Sequence, residues 1–240
     1  MAAEIEDTSL EEQLLEVIQS DDTLALHAFL DRQNISDVAE LINQLPDRES
    51  EILSNLSMHR AVSTFKILDF PTQKRIIQEL SPWKTAELLN GLPADDRTSF
   101  LEDLPSEVVK ELIRMLDPEE RKITLALLGY PESSVGRLMT PDYIAVQKDW
   151  TLRQVIRHIR TVGKDSETID VVYVVDEKGV FIDDIKIREI ILADPDKIIA
   201  DVIDNRFIYL KVTDDQETAS QAFKMNNRMA LPVLDNNMVL

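Results

Sequence analysis

The chain has 240 residues, 44% of them apolar, with ten prolines, five glycines and no cysteine. That composition excludes a disordered or disulfide-stapled chain, suits a reducing compartment, and allows one large domain or two ordinary ones. The net charge of −19 is spread unevenly, 26 acids against 12 bases as far as Pro131. Such a surface repels a phosphate backbone, so nucleic acid is not an expected partner. No apolar run reaches the roughly 18 residues of a membrane helix, and the acidic start MAAEIEDTSLEEQ lacks a signal peptide's features. The chain as given is expected to be soluble.

Prolines at 46, 71, 82, 93, 105, 118 and 131 punctuate the first half, 11 to 13 residues apart from Pro71 onward. Proline ends one helix and suits the first turn of the next. Between prolines the apolar period is helical. Val108, Val109, Leu112, Ile113 and Leu116 form one stripe in PSEVVKELIRML, and Phe100, Leu101 and Leu104 form another in PADDRTSFLEDL. Helices this short need neighbours to be stable, so Leu10–Leu128 is expected to be an all-helical, superhelical stack.

Gly129-Tyr130-Pro131 closes that stack and the pattern changes. From Tyr143 the order reads strand, helix, strand, strand, helix: YIAV, LRQVIRHIRTV, VVYVV, VFIDDIKI and REIILAD, with DEKG as the tight turn. The order begins again with FIYL, QETASQAFKM and LPVLDNN, offset by 64 residues at the first strand and 59 at the second. The expected architecture is therefore multidomain α + α/β: an acidic helical domain over 1–131, a first β-α-β-β-α module over 132–200, and a second over 201–240. The two modules are expected to pack as a pair. The second stops before its last strand is complete and is expected to continue past Leu240.

The five glycines form no GxGxxG or GxxxxGK cradle, the three histidines have no metal-ligand spacing, and no Ser, His and acid arrangement announces a nucleophile. An enzyme is not expected. Carboxylates remain. Asp95-Asp96 follow Pro93, and Asp215 and Glu217 open the helix at QETASQAF. Mg²⁺ prefers oxygen ligands and keeps several waters, so one or two carboxylates per ion suffice. Helix capping and the helix dipole account for acids at these positions without any metal. Arg188 and Glu189, at the start of the helix after VFIDDIKI, are the candidate nucleotide contacts, through phosphate and ribose hydroxyls.

The β-α-β-β-α repeat resembles paired CBS domains. VGRLMTPDYIAVQKDWTLRQVI, ETIDVVYVVDEKGVF and IREIILADP, placed after a proline-punctuated helical domain containing LSPW, resemble the cytosolic part of the MgtE family of bacterial magnesium channels. RLMTPDYIAV is close to that family's GLMTPEYVAV. The resemblance covers nearly the whole chain.

It implies the cytosolic Mg²⁺-sensing gate of a homodimeric channel, paired through CBS domains, that shuts a membrane pore when the ion bridges its acidic domains. By position, Asp95 matches a metal-site aspartate with Asp96 beside it, and Asp215 and Glu217 match acids opening a CBS helix. Ser63, Ser99 and Asn227 stand where relatives carry acids, which implies fewer or looser sites. Where the family reads GVLSLRDL this chain reads DDIKIREI, with Asp183 for Gly, Lys186 for Ser and Glu189 for the ribose-binding Asp; ATP is carried over only with those departures. Two other readings stay open: an adenine-nucleotide-sensing CBS module of another effector, and a helical-repeat scaffold for basic partners.

Overall fold

The computed structural model describes residues 9–164 and 166–240; residues 1–8 of the acidic start and Asp165 of the loop GKDSETID lie outside them. The chain forms two compact units. The first runs to Leu92 and resumes over Asp103–Arg121; the second comprises Pro93–Glu102 and Lys122–Leu240.

The first unit is helical: α1 (Leu10–Gln19), α2 (Thr23–Arg32), α3 (Ile35–Gln44), α4 (Glu49–Ser54), α5 (Met58–Ile67), α6 (Phe70–Glu79) and α7 (Pro82–Gly91). After α8 (Ala94–Glu102), which belongs to the second unit, it regains α9 (Ser106–Met115). The punctuation works as expected: Pro71 and Pro82 occupy first-turn positions, and Asp69 and Ser81 cap the same helices by accepting the Thr72 and Lys84 N–H groups. Each helix buries one stripe against near neighbours, α3 on α5, α4 on α6, α5 on α7 and α7 on α9, the arrangement of a stack. A Cβ at Gly91 would lie 3.0 Å from Val62 Cγ2, so a glycine there lets α7 approach α5 closely.

The second unit holds α8, most of α10 (Pro118–Leu128), the short α11 (Val135–Leu138) and both modules. Module one is β1 (Ala145–Gln147), α12 (Leu152–Val162), β2 (Val171–Val175), β3 (Phe181–Lys186) and α13 (Ile187–Leu192). β2 is central, parallel to β1 and antiparallel to β3, with a bulge between Val174 and Val175. Val172 and Val174 pack under α12 and α13 with Val155, Ile159 and Ile190; Val171 and Tyr173 pack with Phe181 and, from module two, Leu234. A strand covered on both faces reads as an unbroken apolar run, which is why VVYVV does not alternate.

Module two is β4 (Leu210–Lys211), α14 (Gln216–Asn226) and β5 (Val233–Leu234), its two strands parallel. Its first strand is shorter and later than FIYL predicts, because Phe207 turns its ring onto Phe181, 4.9 Å away and edge to face. Likewise β1 starts at Ala145, since the Tyr143 N–H closes a turn onto Pro141.

The modules also exchange the segments that precede them. α11 gives Val135 to the apolar cluster of module two, and Ile199, in a 3-10 turn at Ile199–Asp201, is buried in the core of module one.

Candidate functional site

α8 begins directly after Pro93, and this places Asp95 and Asp96 in its first turn. Both side chains are half-buried, because the same helix buries Ala94, Arg97, Thr98, Phe100 and Leu101 around them. Arg97 is fully buried and donates from Nε to Thr124 Oγ1 of α10 at 2.8 Å. At the other end of α8, Glu102 Oε2 lies 3.6 Å from the Arg137 guanidinium of α11. The helix is therefore pinned at two points within its unit.

Burial is the largest influence on the Asp95 carboxyl and lifts it above its ordinary value; the charges of Asp96 and Glu167 lift it further. Its Oδ1 is buried and has no hydrogen-bond partner. Such an oxygen costs folding energy until something donates to it or coordinates it. No sequence signal marks Glu167, since it sits in the long loop GKDSETID with no helical or strand period to give its direction. Its N–H is held by the Asp142 carbonyl at 2.8 Å.

Asp215 and Glu217 stand on a different helix. Asp215 is the N-cap of α14: its Oδ1 accepts the Thr218 N–H at 2.8 Å, and that bond holds its carboxyl below the ordinary value. Glu217 is exposed and accepts from Gln221 one turn on. Among the described residues no group of three or more His, Cys, Asp or Glu side chains is preassembled around a metal position. The residues present fit a hydrated ion better than a fully protein-enclosed one.

A cavity of about 790 Å³ opens within the second unit. Its walls are largely apolar, from Val135, Leu138, Phe223 and Leu231 among others, and its charged lining residues are Asp142, Glu167 and Asp170. Arg188 and Glu189 do not line it. Both are exposed on α13, and Glu189 Oε2 accepts the Lys186 N–H at 3.3 Å.

The second unit thus joins two interlocked modules to α8 and its half-buried carboxylate pair. Residues 33–133 match the family described as MgtE intracellular N domain, and residues 135–196 match the CBS domain. The chain is 31% identical over 226 residues to the magnesium transporter MgtE of Thermus thermophilus, covering 92% of this chain and 50% of that one. To the Bacillus subtilis magnesium transporter MgtE it is 23% identical, over 85% of this chain and 46% of that one. The crystal structure of the cytosolic domain of the Mg²⁺ channel MgtE in complex with ATP superposes with a TM-score of 0.91 at 31% identity, covering 96% of this chain and 94% of that chain. The soluble part of a magnesium transporter gives a TM-score of 0.88 at 24% identity, covering 96% and 91%.

The chain belongs to the MgtE family and corresponds to its cytosolic part. It spans about half the length of the curated relatives it matches. No helix among the described residues is long and apolar enough to cross a membrane.

Proposed function

We propose that this chain is the cytosolic Mg²⁺-sensing gate of a magnesium channel or transporter, favouring the closed pore when the ion is bound. One observation carries the reading: Asp95, half-buried beside Asp96 and under the charge of Glu167, keeps a buried oxygen with no partner. A hard divalent cation would satisfy that oxygen and cancel the repulsion, while its waters complete the coordination. Ions that bind one arrangement only shift the population toward it, and that shift is what a pore would read. Asp215 and Glu217 are the second candidate pair; for them to serve a metal, Asp215 would share its oxygens between the Thr218 N–H and the ion.

The related cytosolic domain crystallised with ATP supports ATP as an additional ligand. Arg188, exposed at the start of α13, offers a cation for its phosphates, and Glu189 an acceptor for ribose hydroxyls. On this reading the protein is a non-catalytic regulator. It pairs with a second copy through its CBS domains, on the cytoplasmic side of the membrane that holds the pore.

Thermal unfolding titrated with Mg²⁺, and with NaCl at matched ionic strength, tests the reading. Mg²⁺ should raise the melting temperature beyond what salt does, the added stability being about 2.7 kcal/mol for one site at a hundred times its dissociation constant. Asp95→Asn should remove most of that difference and leave the metal-free fold intact. Equal effects of Mg²⁺ and NaCl would sink the sensor; a response to ATP alone would make the chain a nucleotide-sensing module.

A further inference from the structure

The two modules meet across an apolar junction: Val171, Tyr173 and Phe181 of module one against Leu234, with Phe207 and Met238 packed beside them. One ion pair is set into it. Arg228 Nη1 donates to Asp184 Oδ2 at 2.6 Å, and the two side chains are only 16% and 4% exposed. Both ends are held by the backbone around them. Asp184 lies on β3 directly opposite Tyr173 of β2. Its neighbour Asp183, fully buried, accepts the N–H groups of Asn205 at 2.8 Å and of Asp184 at 2.9 Å. On the other side, α14 ends at Asn227 in the left-handed conformation (φ 46°), which turns the chain so that Arg228 follows immediately.

Such a pair is a poor source of net stability, because removing two charges from water offsets most of their attraction. The Asp184 carboxyl bears this out: burial outweighs the Arg228 charge and leaves it above its ordinary value. What the pair does supply is direction. An apolar junction tolerates sliding, whereas a docking register that separates Arg228 from Asp184 strands two buried charges.

We propose that Arg228 and Asp184 form a register clamp, which restricts module two to one docking position on module one. Hydrogen exchange on the full chain tests it. The reporters are the Leu210 and Val212 amides of module two, bonded to the Pro232 and Leu234 carbonyls, and the reference is the Tyr173 amide, bonded to Ile144. Arg228→Met and Asp184→Asn should each lower reporter protection at least tenfold while the reference holds. The reversed pair, Asp184→Arg with Arg228→Asp, should recover at least half of the loss on a logarithmic scale. The apolar pair, Asp184→Leu with Arg228→Met, should keep the melting temperature yet give more than one set of amide resonances at the reporters. A reversed pair no better protected than the single variants, or an apolar pair with one sharp set of resonances, would overturn the clamp. The Tyr173 reference separates both results from simple unfolding.

Discussion

Two turns, DEKG and DNNM, show how far single residues can be read. Asp176 Oδ1 accepts the N–H groups of Lys178 and Val180, and Asp235 Oδ1 accepts those of Asn237 and Val239, the same turn 59 residues apart. Gly179 takes φ 81° in the first, and Met238 takes φ 62° in the second. A Cβ at Gly179 would meet only Val239 Cγ1, at an ordinary 3.7 Å. Gly179→Ala should therefore cost about 1 kcal/mol in urea unfolding, through backbone strain and not collision. Asp95 gives the other prediction at this scale. A carboxyl raised in the folded protein contributes stability that is full below its unfolded value and lost as pH rises through the folded one. The metal-free melting temperature should thus carry a downward slope with pH above about 4. Asp95→Asn should flatten it, as should Mg²⁺; an unchanged slope in the variant would place the titration elsewhere.

At the scale of elements, the prolines and stripes made the helices legible, and Leu10–Leu128 is helical as its pattern predicts. The strands were less so. β4 and β5 are two residues each, because aromatic packing at Phe207 and the exchanged segments carry the burial that longer ladders would otherwise provide. Among the contacts of α8 that no local pattern announces is the Arg97–Thr124 hydrogen bond inside the second unit. Thr124→Val keeps the shape and leaves Nε short of that acceptor. It should destabilise the protein by about 1–3 kcal/mol in thermal or urea unfolding, whereas an effect near zero would mean that Arg97 is satisfied by its other contacts.

For the whole molecule, the charge of −19 is the property a metal-sensing gate would use. On the proposed function, self-repulsion would keep the metal-free state poised, and a divalent ion would relieve more of it per particle than sodium does. The exchanged segments tie each module's core to the chain that leads into the other. Ile199, fully buried in the core of module one, belongs to the segment that leads into module two. Ile199→Ala should therefore cost about 2–5 kcal/mol and lower amide protection in β2 and β3 as well as in module two. Loss confined to module one would show the modules to be independent.

The sequence by itself determined the helical stack, the order of the repeated modules, the tight turns and the carboxylates worth suspecting. Each is written in local chemistry: proline positions, apolar period, a turn's Asp and Gly. Only the tertiary structure decided that Glu167 acts on Asp95, that Asp215 caps a helix, and that Arg228 and Asp184 face each other across 44 residues. Those are contacts that depend on how the folded chain delivers each side chain. Their energies follow from burial and from the direction in which loops present them, and no periodicity in a single sequence records either.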